Sequence, residues 1–410
     1  MRKAGVIGLG KSGIAVARLL RESDIQIEVS ERRDTEELRA EKERLEREGI
    51  KVEIGKHSKE FIRDKDLLIV SPGVDNPQLF LWAKEEGVPL VSEIEVAYRF
   101  CSSPIIAITG TNGKSSAATL IGEMLKKAGK KAVVCGNIGI PFSHIVREGG
   151  YEVVVLEVSS FQLERIDRFK PYISVILNIT PDHLDRYQNF EEYKRAKYRI
   201  FENQREGDWL LINKSCQQAV KRHLLNTNRF PHILWLDEKD EVKQSAKIVG
   251  RILGISKEII QRSLEEFKGL EHRLEYVDTI GKVRFINDSK ATNVDAVRYA
   301  LENVSPPVIL ILGGKDKGGE FSSLCSLIKE KVKKTILIGK AKEKIREQIK
   351  EAGETEEVCS LKEVFSIVRR IGEEGDTVLF SPGCASFDMF ANFEERGREF
   401  KKLVKEMAKG

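Results

Sequence analysis

The chain has few cysteines for its length, six in 410 residues, and no two of them form a C-x-x-C pair. Neither a disulfide framework nor a zinc site of paired thiolates is therefore expected, and the thiols are predicted to be reduced. No apolar run is long enough to span a bilayer, and the first residues lack the apolar core of a secretory signal. We expect a cytoplasmic protein without a membrane span.

Long blocks of one charge sign are also missing. The 69 Lys and Arg residues exceed the 64 Asp and Glu residues by five, and this excess is spread along the chain. Nucleic-acid-binding proteins usually concentrate their basic residues, so we expect no nucleic-acid partner and instead small anionic ligands. With 41% hydrophobic residues the chain can fill real cores, and its length suggests about three domains of roughly 150 residues each.

A phosphate-binding loop is the strongest motif. The apolar residues 105–108 stop at a glycine-rich turn, which is followed by Lys114, Ser115 and a helical pattern. Backbone N–H groups of such a loop surround phosphate oxygens, Lys114 would reach the β- and γ-phosphates, and the Ser115 hydroxyl would bind Mg²⁺. The strict pattern has a glycine where Ile108 stands, so this is a variant. The alternative is a glycine-rich turn with a chance Lys-Ser pair.

A second glycine-rich turn lies near the start of the chain. Gly8, Gly10 and Gly13 follow a short apolar strand and satisfy G-x-G-x-x-G. A second strand ends at Glu31, about where a Rossmann acid holds a ribose. The pattern predicts a Rossmann-like domain that binds a pyrophosphate, and it leaves open whether the ligand is a nicotinamide dinucleotide or another nucleotide.

Several polar residues follow predicted strands in the middle of the chain. Glu157 comes directly after the apolar residues 153–156 and resembles the acid that holds Mg²⁺ in phosphate-loop enzymes; the alternative is an ordinary surface acid at a strand end. His183, in a Pro-Asp-His loop, is a candidate metal ligand or general base. Lys197 lies on an amphipathic helix predicted over residues 191–201, at a position expected to be solvated.

The last third of the chain repeats this alternation of strands and helices. Four apolar runs end in glycine-rich or polar segments, which predicts a third open parallel sheet. The runs cover residues 283–286, 308–312, 335–338 and 377–380. A helix is predicted over residues 387–400, with Phe390, Phe393 and Phe400 packing in the core.

Four motifs together resemble the Mur ligase family, the ATP-dependent amide-forming enzymes of peptidoglycan precursor synthesis. They are residues 110–116, 157–163, 287–293 and 381–388, and the last three are similar to the branch that adds D-glutamate. The resemblance covers nearly the whole chain. It implies an α/β fold of three domains: a Rossmann-like domain for the UDP-substrate (1–92), a central phosphate-loop ATPase domain with a parallel sheet (93–270) and a C-terminal Rossmann-like domain for D-glutamate (271–410). A monomer is expected.

The resemblance also implies the residues of each site. The UDP-substrate residues would be Lys11, Ser12, Ser30, Glu31, Ser71, Gly73, Asn137, Ser159 and Gln162. The ATP residues would be Gly110, Thr111, Asn112, Gly113, Lys114, Ser115, Ser116, Arg273, Asp288 and Lys290. D-Glutamate would contact Thr292, Lys317, Ser386 and the backbone of Phe393.

Two Mg²⁺ ions are implied as well. Ser115 and Glu157 would hold one ion, and His183 and a carbamylated Lys197 the other; Lys114, His183 and Lys197 are the implied catalytic residues. A carbamate turns an amine into an oxygen ligand, which suits a hard cation. In the implied reaction, the carboxylate of UDP-N-acetylmuramoyl-L-alanine attacks the γ-phosphate of ATP, and the acyl phosphate then reacts with the amine of D-glutamate.

One segment departs from the family pattern. Where the family has a His-Asn-x-x-Asn stretch at the nucleotide, this chain has Glu238, Lys239, Asp240, Glu241 and Val242, so the adenine contacts are not assigned. The general base for the amine stays open between Asp182 and His183. Two other classes remain as alternatives: a nicotinamide-dependent oxidoreductase and a nucleotide-binding switch without amino-acid dependence.

Overall fold

The computed structural model describes residues 2–184, 186–227, 231–237 and 240–408. The chain divides into two compact units, which comprise residues 1–179 with 191–267 and residues 180–190 with 268–410. The first unit contains two sheets and the second unit one. The domain boundaries at residues 92 and 270 stay a prediction.

The N-terminal sheet is parallel, with the strand order β3-β2-β1-β4-β5. Its strands are β1 (Lys3–Ile7), β2 (Gln26–Glu31), β3 (Lys51–Ile54), β4 (Leu67–Val70) and β5 (Leu90–Ser92). The helices between them are α1 (Lys11–Arg21), α2 (Glu36–Arg47), α3 (Lys59–Ile62) and α4 (Pro77–Glu85). Thr35, Ser58 and Asn76 cap three of these helices through their side-chain oxygens, as expected for N-cap residues.

The central sheet is also parallel and has the order β11-β10-β9-β6-β8-β7. Its strands are β6 (Ile105–Thr109), β7 (Ala132–Gly136), β8 (Val153–Glu157), β9 (Ile173–Ile176), β10 (Trp209–Asn213) and β11 (His232–Leu236). The helices of this region are α5 (Glu93–Phe100), α6 (Lys114–Lys127), α7 (Phe142–Glu148), α8 (Ser160–Leu163), α9 (Phe190–Tyr198), α10 (Gln217–Thr227), α11 (Glu241–Ile252) and α12 (Lys257–Glu266). Short 3₁₀ turns lie at Arg199–Phe201 and Lys214–Cys216.

The C-terminal sheet is mixed, so the expectation of a third purely parallel sheet was wrong at one edge. The order is β12-β13-β17-β14-β15-β16, and only β12 and β13 pair antiparallel. Ile280 pairs with Val283 across a two-residue turn, and a turn this short can join only antiparallel strands. The strands are β12 (Glu275–Ile280), β13 (Val283–Asn287), β14 (Val308–Gly313), β15 (Val332–Ile338), β16 (Thr355–Glu357) and β17 (Thr377–Phe380).

The helices of the C-terminal unit correct a second expectation. They are α13 (Val294–Asn303), α14 (Cys325–Lys331), α15 (Lys342–Ile349), α16 (Leu361–Ile371) and α17 (Phe393–Met407), with a 3₁₀ turn at Phe321–Leu324. The helix predicted over residues 387–400 begins only at Phe393. Asn392 accepts a hydrogen bond from the Glu395 backbone N–H at 2.7 Å, and an asparagine in this position starts a helix rather than continuing one.

Each sheet carries a hydrophobic cluster on both faces, which explains the continuous apolar strands. In β6, Ile105 and Ala107 belong to the cluster on one face, while Ile106 and Ile108 belong to the cluster on the other. Because the strands are parallel, their carboxyl ends meet at one edge of the sheet, where open α/β sheets bind ligands. Among the described residues, no helix combines the length and apolarity that crossing a bilayer requires.

Glu95 of α5 provides a test of what stabilises the first unit. It is fully buried, and one oxygen accepts the backbone N–H groups of Asp167, Arg168 and Phe169 at 2.8–3.0 Å. Glu95→Gln places an NH₂ donor or a weaker neutral acceptor against these donors, so we expect the free energy of unfolding to fall by about 2–3 kcal/mol. Urea unfolding followed by circular dichroism measures this change.

The matched control for this prediction is Glu123→Gln, which changes an exposed position of α6 in the same unit. A change of less than about 0.5 kcal/mol is expected there. Equal small changes in both variants would contradict the role assigned to Glu95.

Candidate active site

The phosphate loop connects β6 to α6 and has the geometry its sequence predicts. Gly113, directly before α6, has φ = 85°, a left-handed conformation that suits glycine. The Lys114 side chain lies back over the loop, and its Nζ donates to the carbonyl oxygens of Gly110 and Thr111, each at 2.8 Å. The helix N-terminus and this ammonium group therefore face the same loop, which favours an anion there.

Asn178, which follows β9, holds the loop in shape. Its Oδ1 accepts the Asn112 N–H at 2.8 Å, and its backbone oxygen accepts the Thr111 N–H at 2.8 Å. The Asn178 amide in turn donates to Glu241 at 2.7 Å. Asn178 was not among the residues that we predicted at the site, although a polar residue shortly after a central strand is typical of a binding residue.

Glu157 at the end of β8 is buried, with 3% of its surface exposed, so the alternative of a surface acid was wrong. Its Oε1 accepts from the Asn137 side chain at 2.9 Å. Its Oε2 is buried and has no hydrogen-bond partner among the described residues. A buried carboxylate oxygen without a partner is costly, and a hard divalent cation is the kind of ligand such an oxygen prefers. Glu157 therefore fits a Mg²⁺ ligand.

Lys197 was expected at a solvated position, and this was wrong because the residue is only 2% exposed. Its Nζ donates to the Gly110 carbonyl at 2.9 Å and lies 4.7 Å from the centre of the Tyr193 ring. Tyr193, one helical turn earlier, contacts Thr111 through its hydroxyl at 3.2 Å. Residues four apart share a helix face, so this face of α9 packs on the loop while Lys194 lies on a more exposed face.

A cavity of about 640 Å³ lies at the carboxyl edge of the N-terminal sheet. Five of the residues expected at the UDP-substrate line it, together with residues that the sequence reasoning missed. The expected ones are Lys11, Ser12, Glu31, Ser71 and Gly73, with the glycine turn at Gly8 and Gly10; the others include Arg32, Arg33, His57 and Asp75. Gly13 cannot carry a side chain, because a Cβ there would lie 2.0 Å from the Gly8 carbonyl oxygen.

Ser30 was expected at this ligand but does not line the cavity. The residue is fully buried, and its hydroxyl lies 2.8 Å from His57 Nδ1 and 3.0 Å from Glu53 Oε1. The structure thus places Ser30 behind His57, which does line the cavity.

Ser159 and Gln162 form a capping box at the start of α8. The Ser159 hydroxyl accepts the Gln162 N–H, and Gln162 Oε1 accepts the Ser159 N–H at 2.9 Å. The capping box uses the Ser159 hydroxyl and the Gln162 amide oxygen. Asn137, also expected at the UDP-substrate, contacts Glu157 as described above.

A second cavity, of about 390 Å³, lies in the C-terminal unit. Of the four residues expected at D-glutamate, Thr292 and Lys317 line it, while Ser386 and Phe393 are not among its lining residues. Asp182 also lines this cavity. It accepts from the Asn293 amide at 3.0 Å and lies 3.9 Å from Lys317 Nζ.

The pKa of Asp182 follows from these neighbours. Burial raises it, but the Lys317 ammonium, His183 and the Asn293 hydrogen bond together hold it below its usual value. His183 has a left-handed backbone, with φ = 56°, and its N–H donates to Asp182 Oδ1 at 2.8 Å. An ionised Asp182 with these contacts holds Lys317 and the His183 loop in place.

The remaining expected residues of the C-terminal unit lie around Asp288. The carboxylate accepts from the Ser381 hydroxyl at 2.7 Å and the Leu274 N–H at 3.2 Å, and burial raises its pKa to about 6. Arg273 lies close enough to lower this pKa in part. Lys290 Nζ lies 5.3 Å from the centre of the Phe393 ring.

The segment that departs from the family pattern begins α11. Glu238 and Lys239 lie outside the described residues. Asp240 caps the helix, and Glu241 accepts hydrogen bonds from Asn178 and from the Asn213 side chain. Val242 lies against the phosphate loop near Gly113. The start of α11 is thus tied to the loop through the Glu241 carboxylate and the Val242 side chain.

Three family models match the chain in sequence. The MurD-like N-terminal domain of Mur ligases matches residues 2–92, the Mur ligase middle domain residues 108–261 and the Mur ligase glutamate ligase domain residues 272–384.

Curated relatives match over almost the full length. The UDP-N-acetylmuramoylalanine--D-glutamate ligase of Koribacter versatilis (strain Ellin345) is 41% identical, over 98% of this chain and 97% of the relative. A ligase of the same name from Thermoanaerobacter sp. (strain X514) is 40% identical, over 99% and 98%.

Solved structures share the fold at low sequence identity. The MurF ligase of Thermotoga maritima in complex with ADP is 15% identical with a TM-score of 0.62, over 86% of this chain and 97% of that one. The pseudomurein peptide ligase type C of Methanothermus fervidus is 19% identical with a TM-score of 0.60, over 99% and 100%. At these identities the two structures show only a similar fold. The family models and the curated relatives show the family: the chain belongs to the Mur ligase family.

Proposed function

We propose that the protein is an ATP-dependent ligase that joins D-glutamate to UDP-N-acetylmuramoyl-L-alanine through an acyl phosphate, in peptidoglycan precursor synthesis. The observation that carries this proposal is the match of about 40% identity, over nearly the whole chain, to relatives that bear the name of this activity. Small-molecule substrates, a monomer and a cytoplasmic location belong to the same proposal. The membership also favours a UDP pyrophosphate over a nicotinamide dinucleotide at the turn after β1.

The first chemical step brings two anions together, the substrate carboxylate and the γ-phosphate of ATP. Its barrier is largely electrostatic, so fixed positive groups lower it most. Lys114 Nζ donates hydrogen bonds to the Gly110 and Thr111 carbonyl oxygens. When ATP binds, it would donate to phosphate oxygens in their place. The backbone N–H groups from Gly110 to Ser116 would hold the remaining phosphate oxygens.

Mg²⁺ fits the donors of the central site. Ser115 and Glu157, with its buried unpartnered Oε2, would hold one ion, and His183 and a carbamylated Lys197 would hold a second. Bound Mg²⁺ supplies charge neutralisation at the phosphates. What supports the proposal is that Lys197 is buried on the helix face that packs on the loop, where a carbamate would supply oxygen ligands.

D-Glutamate would bind in the cavity of the C-terminal unit. Lys317 and Thr292 line this cavity and would take the carboxylates of the amino acid. The roles of Ser386 and of the Phe393 backbone, which do not line it, stay predictions. Asp182, whose pKa is held low, is a weak base and acts by positioning Lys317. Arg273, Asp288 and Lys290 would position ATP from the same unit.

The proposed function predicts a strict amino-acid requirement. Phosphate release from ATP, measured with UDP-N-acetylmuramoyl-L-alanine and Mg²⁺, should need D-glutamate and should not respond to L-glutamate, meso-diaminopimelate or L-alanine. Lys114→Ala should lower the rate by about 10³-fold because it removes a fixed charge from the developing phosphate.

The matched control is Lys126→Ala, an exposed lysine on the same helix, which should keep the full rate. Release that ignores the identity of the amino acid would leave the phosphate loop in place and would disprove the D-glutamate assignment.

Lys317→Ala should raise the KM for D-glutamate by about tenfold or more, because a charge-assisted hydrogen bond to a carboxylate is lost. The KM for ATP should stay within about twofold. Steady-state kinetics with each substrate varied in turn separates these values, and Lys329→Ala, an exposed lysine of the same unit, is the control. A normal KM for D-glutamate would remove Lys317 from its role.

Lys197→Ala should abolish activity if the lysine carries a carbamate, and a short carboxylic acid such as formate should restore part of it. ¹³C NMR with labelled bicarbonate should show a carbamate signal in the wild type that is missing in the variant. Lys194→Ala, a lysine on the same helix, is the control. Wild-type activity in Lys197→Ala would refute the carbamate.

A further inference from the structure

The carboxylate expected to hold the nucleoside is already occupied. Glu31 lines the N-terminal cavity, but its Oε1 accepts the Arg33 backbone N–H at 2.9 Å and Arg33 Nε at 3.0 Å. Its Oε2 accepts the Leu9 N–H at 2.9 Å and Arg33 Nη2 at 3.4 Å. A carboxylate has about four lone-pair sites, so these four donors use them all. A donor on the ligand would have to displace one of them.

A second acceptor lines the same cavity. His57 lies in the segment after β3, and its Nδ1 is 2.8 Å from the Ser30 hydroxyl. Its Nε2 has no hydrogen-bond partner among the described residues. Nε2 can accept a hydrogen bond from a ligand only if it carries no proton.

The contacts of Ser30 decide the tautomer. The hydroxyl has one proton, and three acceptors are in reach: Glu53 Oε1 at 3.0 Å, the Lys56 carbonyl at 3.2 Å and His57 Nδ1 at 2.8 Å. The charged carboxylate is the strongest of the three acceptors. With the Ser30 proton on Glu53, His57 Nδ1 must carry the ring proton and donate it to the Ser30 oxygen. Nε2 of the neutral ring is then an acceptor.

The strand order places this acceptor on the nucleoside side of the phosphate turn. The glycine turn follows β1, Glu31 ends β2 and His57 follows β3, and these are adjacent strands in the order β3-β2-β1. Neighbouring strands lie about 4.8 Å apart, so the end of β3 is about 10 Å from the phosphate turn. A nucleotide whose phosphates contact the start of α1 can therefore reach His57 with its base.

We propose that His57 recognises the base of the nucleotide, its unprotonated Nε2 accepting a hydrogen bond from N3–H of uracil. This rests on the proposed function, which supplies the uridine. Uracil has a donor at N3 and cytosine an acceptor, so a bare ring nitrogen at this place favours uracil and opposes cytosine. His57 is in this view a specificity-determining residue rather than a catalytic one.

The preference should depend on pH. Burial lowers the pKa of His57 below its usual value of 6.5, and Arg32 lowers it further. The Glu31 and Glu53 carboxylates raise this pKa but do not outweigh the burial. Lys11, Arg33 and Asp75 are the other charged groups that line the cavity. His57 is thus neutral at pH 7.5. As pH falls through its pKa, Nε2 gains a proton and becomes a donor, so the preference for uracil is lost on the acid side.

Isothermal titration calorimetry on the full chain with UDP, CDP and 3-methyl-UDP tests the proposal. At pH 7.5 the wild type should bind UDP about tenfold more tightly than CDP. N3–H of uracil donates a hydrogen bond to His57 Nε2, whereas N3 of cytosine would place a second acceptor against it. 3-Methyl-UDP, which lacks N3–H, should bind as weakly as CDP. His57→Phe should reduce the ratio between UDP and CDP to about two or less at every pH, while His57→Gln, whose amide oxygen can accept, should keep part of it.

The control variants separate the effect of His57 from that of its neighbours in the cavity. His144→Phe, the same change at a half-buried position on α7 that does not line the cavity, should keep the wild-type ratio and its loss at acid pH. An unchanged ratio in His57→Phe would overturn the proposal, as would a wild type that does not distinguish UDP from CDP. Loss of the preference in Asp75→Asn but not in His57→Phe would also overturn it. A wild type that binds no UDP at millimolar concentration would instead contradict the proposed function itself.

Discussion

Two lysine side chains donate to the same carbonyl oxygen, that of Gly110, and the central site depends on this arrangement. Lys114 Nζ lies 2.8 Å and Lys197 Nζ 2.9 Å from that oxygen. Two positive groups held this close repel one another wherever water is scarce, so the loop favours whatever brings negative charge to it. Phosphate would do so at Lys114, and a carbamate would do so at Lys197. Helix α9 therefore helps to define the loop, because it carries both Lys197 and the Tyr193 ring beneath it.

The parallel sheets explain why the parts of each site are far apart in the sequence. The turn after β1, the end of β2 and the segment after β3 all line one cavity. In the central sheet, β9, β6 and β8 are adjacent strands. Asn178 follows β9, the phosphate loop follows β6, and Glu157 ends β8. Since parallel strands place their carboxyl ends at one edge, each strand can contribute one functional group without disturbing the hydrophobic clusters on the two faces.

Several residues expected at ligands also hold the scaffold. Glu31 is saturated by four N–H donors, and its pKa of about 2 reflects Arg33 and two backbone N–H groups that outweigh its burial. Ser159 and Gln162 satisfy each other at the start of α8. In our proposal, His57 rather than Glu31 or Ser30 makes the contact with the base. A residue that matches a motif by position can thus hold in place the neighbouring side chain that lines the cavity, as Ser30 does for His57.

The sequence by itself determined the alternation of strands and helices, the two glycine-rich turns and the family, because these depend on local patterns: apolar runs, glycine spacing and the residues that follow each strand. Only the tertiary structure decided the rest. The short or polar strands β3, β5, β12 and β16 form because a neighbouring strand offers its backbone, which no local pattern reveals. The burial of Lys197, the unpartnered oxygen of Glu157 and the tautomer of His57 depend on groups brought from distant positions. Hydrogen-bond saturation and burial are properties of a folded neighbourhood, so they arise only once the chain has folded.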